Sequence, residues 1–344
     1  MRVAIDAIWW LDGPPSGRNI VRDLARAWVN AFPDDEITLY VQPRAADSAR
    51  SELPSARIVE SSAQRLPHAL LVRGMRALGR DVDVVISNNF GIGAVDAFSI
   101  VILYDTIFVR HPEWFSAKER LYLSRIRRSL RHTDRVVTGA ESEVVATLAV
   151  WPELEHRMVA TDYGVPRELV ESTALPVHGI AKPFVLSVGR FNVRKNLTRL
   201  VEAFGRSRIG ATHELVIVGP RDGLPPALAA DPNVERSVVM PGAVSPGELR
   251  WLYENAAALA FPTLDEGYGL PMIEAAAFGL PVIASDIPAL REVGVSARSF
   301  DPLSVDEIVE ALNGVPELSR TSASEPRGWA QVVANIRETV VAGG

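Results

Sequence analysis

Apolar residues along this chain fall in short runs, separated by stretches in which they recur every third or fourth position. In the first half this pattern predicts strands near 2–7, 36–41, 82–86, 98–103, 134–138 and 157–161. Helices are predicted between them, near 17–31, 64–79, 116–132 and 141–150. Runs such as Val84-Val85-Ile86 and Ile100-Val101-Ile102-Leu103 lack polar alternation, as strands covered by helices on both faces do. The stretch 163–182 interrupts the rhythm with Gly164, Pro166, Pro176, Gly179 and Lys182-Pro183, and reads as a linker. The alternation resumes with strands at 184–188, 214–218, 257–261 and 281–284. Helices at 196–206, 246–255, 271–278 and 304–312 accompany them, and a last amphipathic helix lies within 326–341. Two doubly wound α/β domains follow, 1–170 and 171–325, with 326–344 as a helix returning to the first. Facing each other, such domains place the carboxyl ends of their strands around one cleft.

Composition narrows the class. At 344 residues, two domains are the natural expectation, and 47% apolar with 23% charged residues reads as globular. The chain has no cysteine, which excludes disulfides, thiolate nucleophiles and zinc–thiolate sites. A net charge of −6 argues against nucleic acid as a partner. No apolar run reaches a membrane span and no signal-peptide pattern opens the chain, so the expected location is cytoplasmic. Only three lysines occur, at 118, 182 and 195.

Residues 261–284, FPTLDEGYGLPMIEAAAFGLPVIA, carry the most chemistry. An apolar strand runs into a glycine-rich turn and a helix opens at Pro271, so free N–H groups and the helix dipole favour an anion such as a diphosphate. Glu266 and Glu274 flank that position and suit hydroxyl groups on either side of it. The implied ligand is a sugar nucleotide. Residues 184–204, FVLSVGRFNVRKNLTRLVEAF, bring Arg190 and Lys195 to the tip of another strand. Fixed cations there stabilise a departing diphosphate more in the transition state than in the ground state.

Together these segments resemble the retaining nucleotide-sugar glycosyltransferases of the GT-B fold, family 4. Arg190 and Lys195 match that family's phosphate-binding pair, and Glu266 and Glu274 its E-x7-E motif. Pro281 to Ser285, Ile287 to Glu292, Pro241-Gly242 with Val244-Ser245, and Ile5-Asp6-Ala7 followed by Gly17-Arg18 extend the likeness. The resemblance implies a GT-B fold of two Rossmann-like domains. It implies that Arg190, Lys195 and Glu266 are catalytic. Glu274, Gly267, Tyr268, Gly269, Leu270, Gly17, Gly219 and Val244 are the expected donor-binding residues. Arg18, Tyr104 and Asp105 are the expected acceptor-side residues. The reaction implied is metal-independent transfer of a hexose or deoxyhexose (mannose-, glucose- or rhamnose-like), with retention, to a glycan or lipid-linked hydroxyl in polysaccharide biosynthesis. No cofactor and no metal ligand are expected.

One departure is plain. Family members carry His-Asp where this chain has Tyr104-Asp105, and a tyrosine stays neutral at ordinary pH. A non-catalytic nucleotide-sugar-binding subunit therefore stays open, and a nucleotide-sugar epimerase is a further possibility on the same scaffold. Asp81-Val82-Asp83 spells D-x-D but opens an apolar strand, so a helix–strand junction is expected there rather than a metal site. Trp9 and Trp10 read either as packing or as a wall of the acceptor pocket. Basic helices at 65–80 and 118–135 are compatible with a solvated arginine face or with peripheral contact to an anionic inner membrane face.

Overall fold

The computed structural model describes residues 1–62, 66–181, 183–220, 237–322 and 328–341. The chain divides into two compact units. One comprises Met1–Arg110, Lys118–Gly164 and Arg327–Gly344, the other His111–Ala117 and Val165–Pro326.

The first unit is built on a seven-stranded sheet: β1 (Arg2–Asp6), β2 (Glu36–Val41), β3 (Arg57–Glu60), β4 (Val84–Asn88), β5 (Phe98–Ile102), β6 (Arg135–Thr138) and β7 (Met158–Ala160). The order is β3-β2-β1-β4-β5-β6-β7, and every pairing is parallel. The order reverses direction between β1 and β4. Loops leaving the carboxyl ends of those two strands diverge to opposite sides, which opens a crevice. Asp83 of the D-x-D sequence bonds the Arg2 guanidinium at 2.6 Å and its amide at 2.8 Å, so it ties the start of β4 to β1. The Trp329–Val341 helix packs on the Pro15–Ala31 helix within this unit. There Arg337 bonds Asp35 at 3.2 Å and stacks on Phe32, while Trp28 donates to the same carboxylate at 3.0 Å.

The second unit repeats the plan with six parallel strands: β8 (Phe184–Val188), β9 (Glu214–Val218), β10 (Val238–Gly242), β11 (Ala258–Phe261), β12 (Val282–Ser285) and β13 (Arg298–Phe300). Their order is β10-β9-β8-β11-β12-β13, so the reversal lies between β8 and β11. Val185, Leu215, Ile217, Ala258 and Ile283 of the sheet pack with Leu200, Phe204, Ile308 and Leu312 of the Leu197–Arg206 and Val305–Asn313 helices. Both faces of β8, β9, β11 and β12 are buried, hence their unbroken apolar runs.

Several expected boundaries move. The first division falls at Gly164 rather than 170. The Arg167–Glu171 helix is tied to the second unit by Arg250, which donates to the carbonyls of Val170 (2.5 Å) and Ser172 (3.0 Å). The two basic stretches are not continuous helices. Arg65 lies outside the described residues, and the rest of that stretch forms a short helix, His68–Leu71, and a 3-10 segment, Val72–Arg80, containing Gly74 and Gly79. The 118–135 stretch breaks into Ala117–Leu123, Arg125–Ser129 and a 3-10 turn before β6. Among the described residues, no helix is long and apolar enough to cross a membrane.

At the end of β9, Gly219 packs directly on the end of β8. It has φ 147°, and a Cβ added there would lie 1.9 Å from the Gly189 carbonyl oxygen. Gly219→Ala should therefore lower the unfolding free energy by more than about 3 kcal/mol, because backbone must move as well as strain. Gly294→Ala, at φ 71° and with ordinary contacts only, should cost about 1 kcal/mol. Urea unfolding of the two variants checks the contrast.

Candidate active site

The loop after β8 is shaped to deliver Lys195. Asn192 accepts from the Lys195 amide at 3.2 Å and opens a 3-10 turn over Val193–Lys195. Asn196 then adopts the left-handed conformation (φ 55°), which asparagine tolerates better than most residues. Its side-chain amide donates to the carbonyls of Pro262 (3.0 Å) and Pro302 (2.7 Å), anchoring the loop to the residues that follow β11 and β13. The Lys195 side chain runs past Gly189, where a Cβ would come within 2.8 Å of Cε. Its ammonium lies 4.5 Å from the Phe261 ring centroid and bonds Glu266 Oε1.

The loop after β11 meets it. Arg194 Nη1 donates to Glu266 Oε2 at 2.8 Å and to the Asp265 carbonyl at 3.0 Å. The Leu264 amide returns a bond to the Arg194 carbonyl at 2.9 Å. Thr263, fully buried, sets its hydroxyl 3.0 Å from Glu266 Oε1. Next comes Gly269, in the left-handed conformation at φ 111°, and it starts the Leu270–Ala277 helix, one residue earlier than expected. Gly267 does not share that conformation. The helix has Pro271 in its first turn, no side-chain cap and no acidic residue there, so its N-terminus remains attractive to an anion.

The two glutamates have opposite electrostatics. Burial pushes Glu266 up, but the charges of Arg194 and Lys195 and their hydrogen bonds overturn it, leaving the carboxyl at about 2. Burial pushes Glu274 up to about 7, against the Tyr253 hydrogen bond and the more distant Lys195 charge. Tyr253 reaches it from the Pro246–Asn255 helix, donating to Oε2 at 2.7 Å. One member of the pair is thus a fixed anion, and the other is poised to change charge near neutrality. Two fixed cations, Arg194 and Lys195, are thus held on the ionised Glu266 beside the helix N-terminus. That field suits a phosphate group.

Of the residues singled out in sequence, Lys195 and Glu266 are in direct contact, and Glu274 is buried one helical turn beyond the glycine turn. Gly267, Tyr268 and Gly269 are buried between the glutamates, and Leu270 is half-buried. Arg190 stands half-buried two residues past β8, while the guanidinium on Glu266 belongs to Arg194. Gly219 directly follows β9, and Val244 is half-buried just after β10. In the first unit, Gly17 is buried in the first turn of the Pro15–Ala31 helix, and the adjacent Arg18 holds its Nε buried without a partner among the described residues. Tyr104 donates to Asn88 Oδ1 at 2.8 Å, and burial raises its phenol well above 10. Asp105 accepts from the Ile107 amide at 3.1 Å and opens the Ile107–Arg110 helix. Arg194 and Tyr253 escaped sequence reading. The first adjoins a lysine already chosen, and the second meets Glu274 only through helix packing.

Stability should carry the signature of this asymmetry. The folded state holds Glu266 below its ordinary 4.5, so its contribution is present above that value and lost as pH falls toward 2. Glu274 works the other way. Its folded value lies above 4.5, so the native state is progressively disfavoured as pH rises from 4.5 toward 7. Relative to Glu274→Gln, the wild type should lose roughly 3 kcal/mol between about pH 5 and 8. Glu266→Gln should cost about 3–5 kcal/mol at neutral pH, less in acid, because two buried cations lose their partner. Urea unfolding across that pH range measures both.

Residues 173–324 match the family model described as glycosyl transferases group 1. The chain is 29% identical over 262 residues to the serotype-specific mannosyltransferase WbdA of Escherichia coli, covering 69% of this chain and 32% of that protein. It is 29% identical over 195 residues to the MMP alpha-(1->4)-mannosyltransferase of Mycolicibacterium hassiacum, covering 55% and 46%. The chain thus spans about a third to a half of these relatives. Among solved structures it is similar to sucrose-phosphate synthase from Thermosynechococcus elongatus, with TM-score 0.67 and 19% identity over 99% of this chain and 94% of that one. WaaG, a glycosyltransferase involved in lipopolysaccharide biosynthesis, gives TM-score 0.65 at 15% identity, over 98% and 95%. The two parallel Rossmann-like sheets are those of the GT-B fold. The buried Lys195–Glu266 pair at the ends of β8 and β11 lies inside the stretch 173–324 that is similar to the group 1 glycosyl transferases.

Proposed function

We propose that the protein is a retaining, metal-independent hexosyltransferase that moves a sugar from a nucleoside diphosphate to a hydroxyl of a glycan or lipid-linked acceptor. The observation that carries this reading is the pair of buried cations, Arg194 and Lys195, held on Glu266 beside the uncapped start of the Leu270–Ala277 helix. As the bond from the anomeric carbon to the diphosphate oxygen breaks, charge grows on the phosphate. Lys195, Arg190 and the helix N-terminus stabilise that charge without reorganising. The acceptor oxygen bonds the same face of the anomeric carbon, and its proton passes to the departing phosphate oxygen. Arg194 and Lys195 already occupy much of the Glu266 carboxylate, so its role is to hold the cations and offer a remaining lone pair to the sugar. Glu274 takes the ribose hydroxyls. Mannose is the favoured hexose, because relatives matched along the chain carry mannosyltransferase names.

The acceptor side supports a lipid-linked substrate. Leu66 and Leu70 are 48% exposed and Leu121 is 64% exposed, and the Ala69 amide bonds the Tyr122 hydroxyl at 3.3 Å, which joins their two segments. Exposed Arg73, Arg76, Lys118, Arg120 and Arg125 lie on the same segments. Leucines rimmed by arginines suit an anionic lipid surface.

Two measurements test the proposal. Lys195→Ala and Glu266→Ala should each lower turnover at least about 100-fold, the scale expected when a charge-stabilising group is removed. Near-normal rates in variants that melt cooperatively would overturn the site. GDP, UDP, dTDP and ADP compared by thermal shift identify the base, since a ligand at about 100 times its Kd adds about 2.7 kcal/mol. Separately, vesicles containing phosphatidylglycerol should sediment the protein at low salt, and Leu70→Ser/Leu121→Ser should abolish this. Equal sedimentation by neutral vesicles, or none by either kind, would remove the membrane surface.

A further inference from the structure

The segment His111–Ala117 follows directly on the Ile107–Arg110 helix of the first unit, yet it belongs to the second. Its local structure fixes one imidazole on three sides. Pro112 opens a 3-10 turn over Pro112–Trp114, and the Trp114 amide donates to the His111 carbonyl at 3.1 Å. Side chains three residues apart eclipse in such a turn. His111 and Trp114 therefore stack, with ring centroids 3.9 Å apart and planes within 9°. Each ring nitrogen then faces a carboxylate. Nδ1 lies 3.3 Å from Glu113 Oε1, and Nε2 lies 3.7 Å from Asp265 Oδ2. A neutral imidazole carries one hydrogen and would turn a lone pair toward one of these carboxylates. Imidazolium carries two, and its charge also favours the face of an indole. The arrangement is thus built for a cation between two anions.

Asp265 gives this contact its reach. Its Oδ1 accepts from the Glu266 amide at 2.8 Å. Its carbonyl accepts from Arg194 Nη1 and from the Thr263 hydroxyl, both at 3.0 Å. Arg194 and Lys195 hold the Glu266 side chain, whereas Asp265 holds its backbone. The charged groups facing His111 are Glu113 on its own segment and Asp265 on the loop after β11. Behind Asp265 stand Arg194, Glu266 and Lys195. The His111 side chain is 37% exposed, so its proton exchanges with solvent although its partner turn is mostly buried.

We infer that His111 is a positioning residue for the Glu266 turn: its protonated ring holds Asp265, which fixes the Glu266 amide and with it the carboxylate offered to the donor sugar. Rising pH discharges the ring and releases Asp265, so the grip on the sugar weakens toward the alkaline side. The inference rests on the transferase reading for the identity of the ligand, but not for the effect on the turn.

The test uses the full chain labelled with 15N-histidine, 13C-carbonyl aspartate and 15N-glutamate. The chain has three Asp-Glu steps, ending at Glu36, Glu266 and Glu307, so three amides carry both labels. Glu36→Gln and Glu307→Gln, at exposed positions, identify two of them and leave Glu266. The wild-type Glu266 amide should titrate with the midpoint of the His111 ring, which is identified by its loss in His111→Gln. Glu36 and Glu307 should not follow that midpoint. His111→Gln keeps a hydrogen-bond donor without the charge and should abolish the step at Glu266. His111→Lys, a permanent cation, should hold the amide at its acid-side position throughout.

GDP-mannose, UDP-glucose, ADP-glucose, dTDP-glucose and the four free diphosphates are then titrated on either side of that midpoint. For the sugar nucleotide that binds, affinity should fall about fivefold more in the wild type than in His111→Gln, the upper range for a half-exposed ion pair. The ligand's own ionisation is common to both proteins and cancels. The free diphosphate should show no such difference, and His111→Lys should keep the acid-side affinity. A flat Glu266 amide, a step that survives in His111→Gln, or a His111→Lys protein that titrates like wild type would overturn the inference. Sugar-nucleotide binding with equal pH dependence in wild type and His111→Gln sinks the inference alone. Binding of none of these probes, with the Glu266 step intact, sinks the transferase reading and leaves the role of His111 in the turn standing.

Discussion

Everything in the second unit that bears on chemistry depends on the ion cluster of Arg194, Lys195 and Glu266. Each of these charges is costly to bury alone, and their mutual contacts make the arrangement tolerable. The cluster also joins two loops that are distant in sequence. Lys195 leaves the end of β8 and Glu266 leaves the end of β11, and these strands are neighbours only because the sheet reverses order there. Close approach of the supporting backbone follows from the same demand. Gly189 yields space to the lysine stem, and Gly219 yields space to Gly189. A side chain at either position would disturb the lysine at one or two removes.

The cluster also explains why two glutamates eight residues apart behave so differently. Glu266 faces two cations and stays ionised, whereas Glu274 faces a phenol inside a helix-packed interior and retains its proton up to about 7. Equal residues in one motif therefore do unequal work: one fixes a field, and the other is a group whose charge responds to what binds it. A ligand diol that donates to Glu274 would favour the charged form and so draw the proton off. Binding and protonation are coupled at that end of the site but not at the other.

Much of this was legible in the sequence, and the omissions have physical causes. Strands buried on both faces announce themselves as apolar runs, so β1, β2, β4, β5, β8, β9 and β11 fall where the hydrophobic pattern puts them. Missed were β3 (RIVE), β10 and β13. Each pairs on one side only or is very short, and carries polar or proline residues that hide the pattern. The basic stretches looked helical because arginine and leucine recur at helical spacing, yet glycines at 74 and 79 and the interruption at Ser124 divide them. Glu266, Glu274 and Lys195 were visible because motif spacing along one chain segment carries them. Arg194, Tyr253 and the Asp6–His68 pair were not, because each contact is made between segments whose separation in sequence is set by topology alone. His68 lies 62 residues from Asp6, and no local pattern encodes that meeting.

The two units place their most constrained polar groups at equivalent points of equivalent sheets, β1 with β4 in one and β8 with β11 in the other. What differs is the chemistry installed there. The second unit presents permanent cations and a helix N-terminus, which attract phosphate, and an ionised carboxylate that holds those cations. The first presents rings, an amide, a phenol and an imidazole oriented by a buried aspartate, groups that recognise hydroxyls and the apolar faces of sugars. A phosphate at the first point would meet Asp6 without a strong cation bonded to it. The same topological position thus holds different chemistry in the two units, permanent charge at one strand reversal and neutral hydrogen-bonding groups around a buried aspartate at the other.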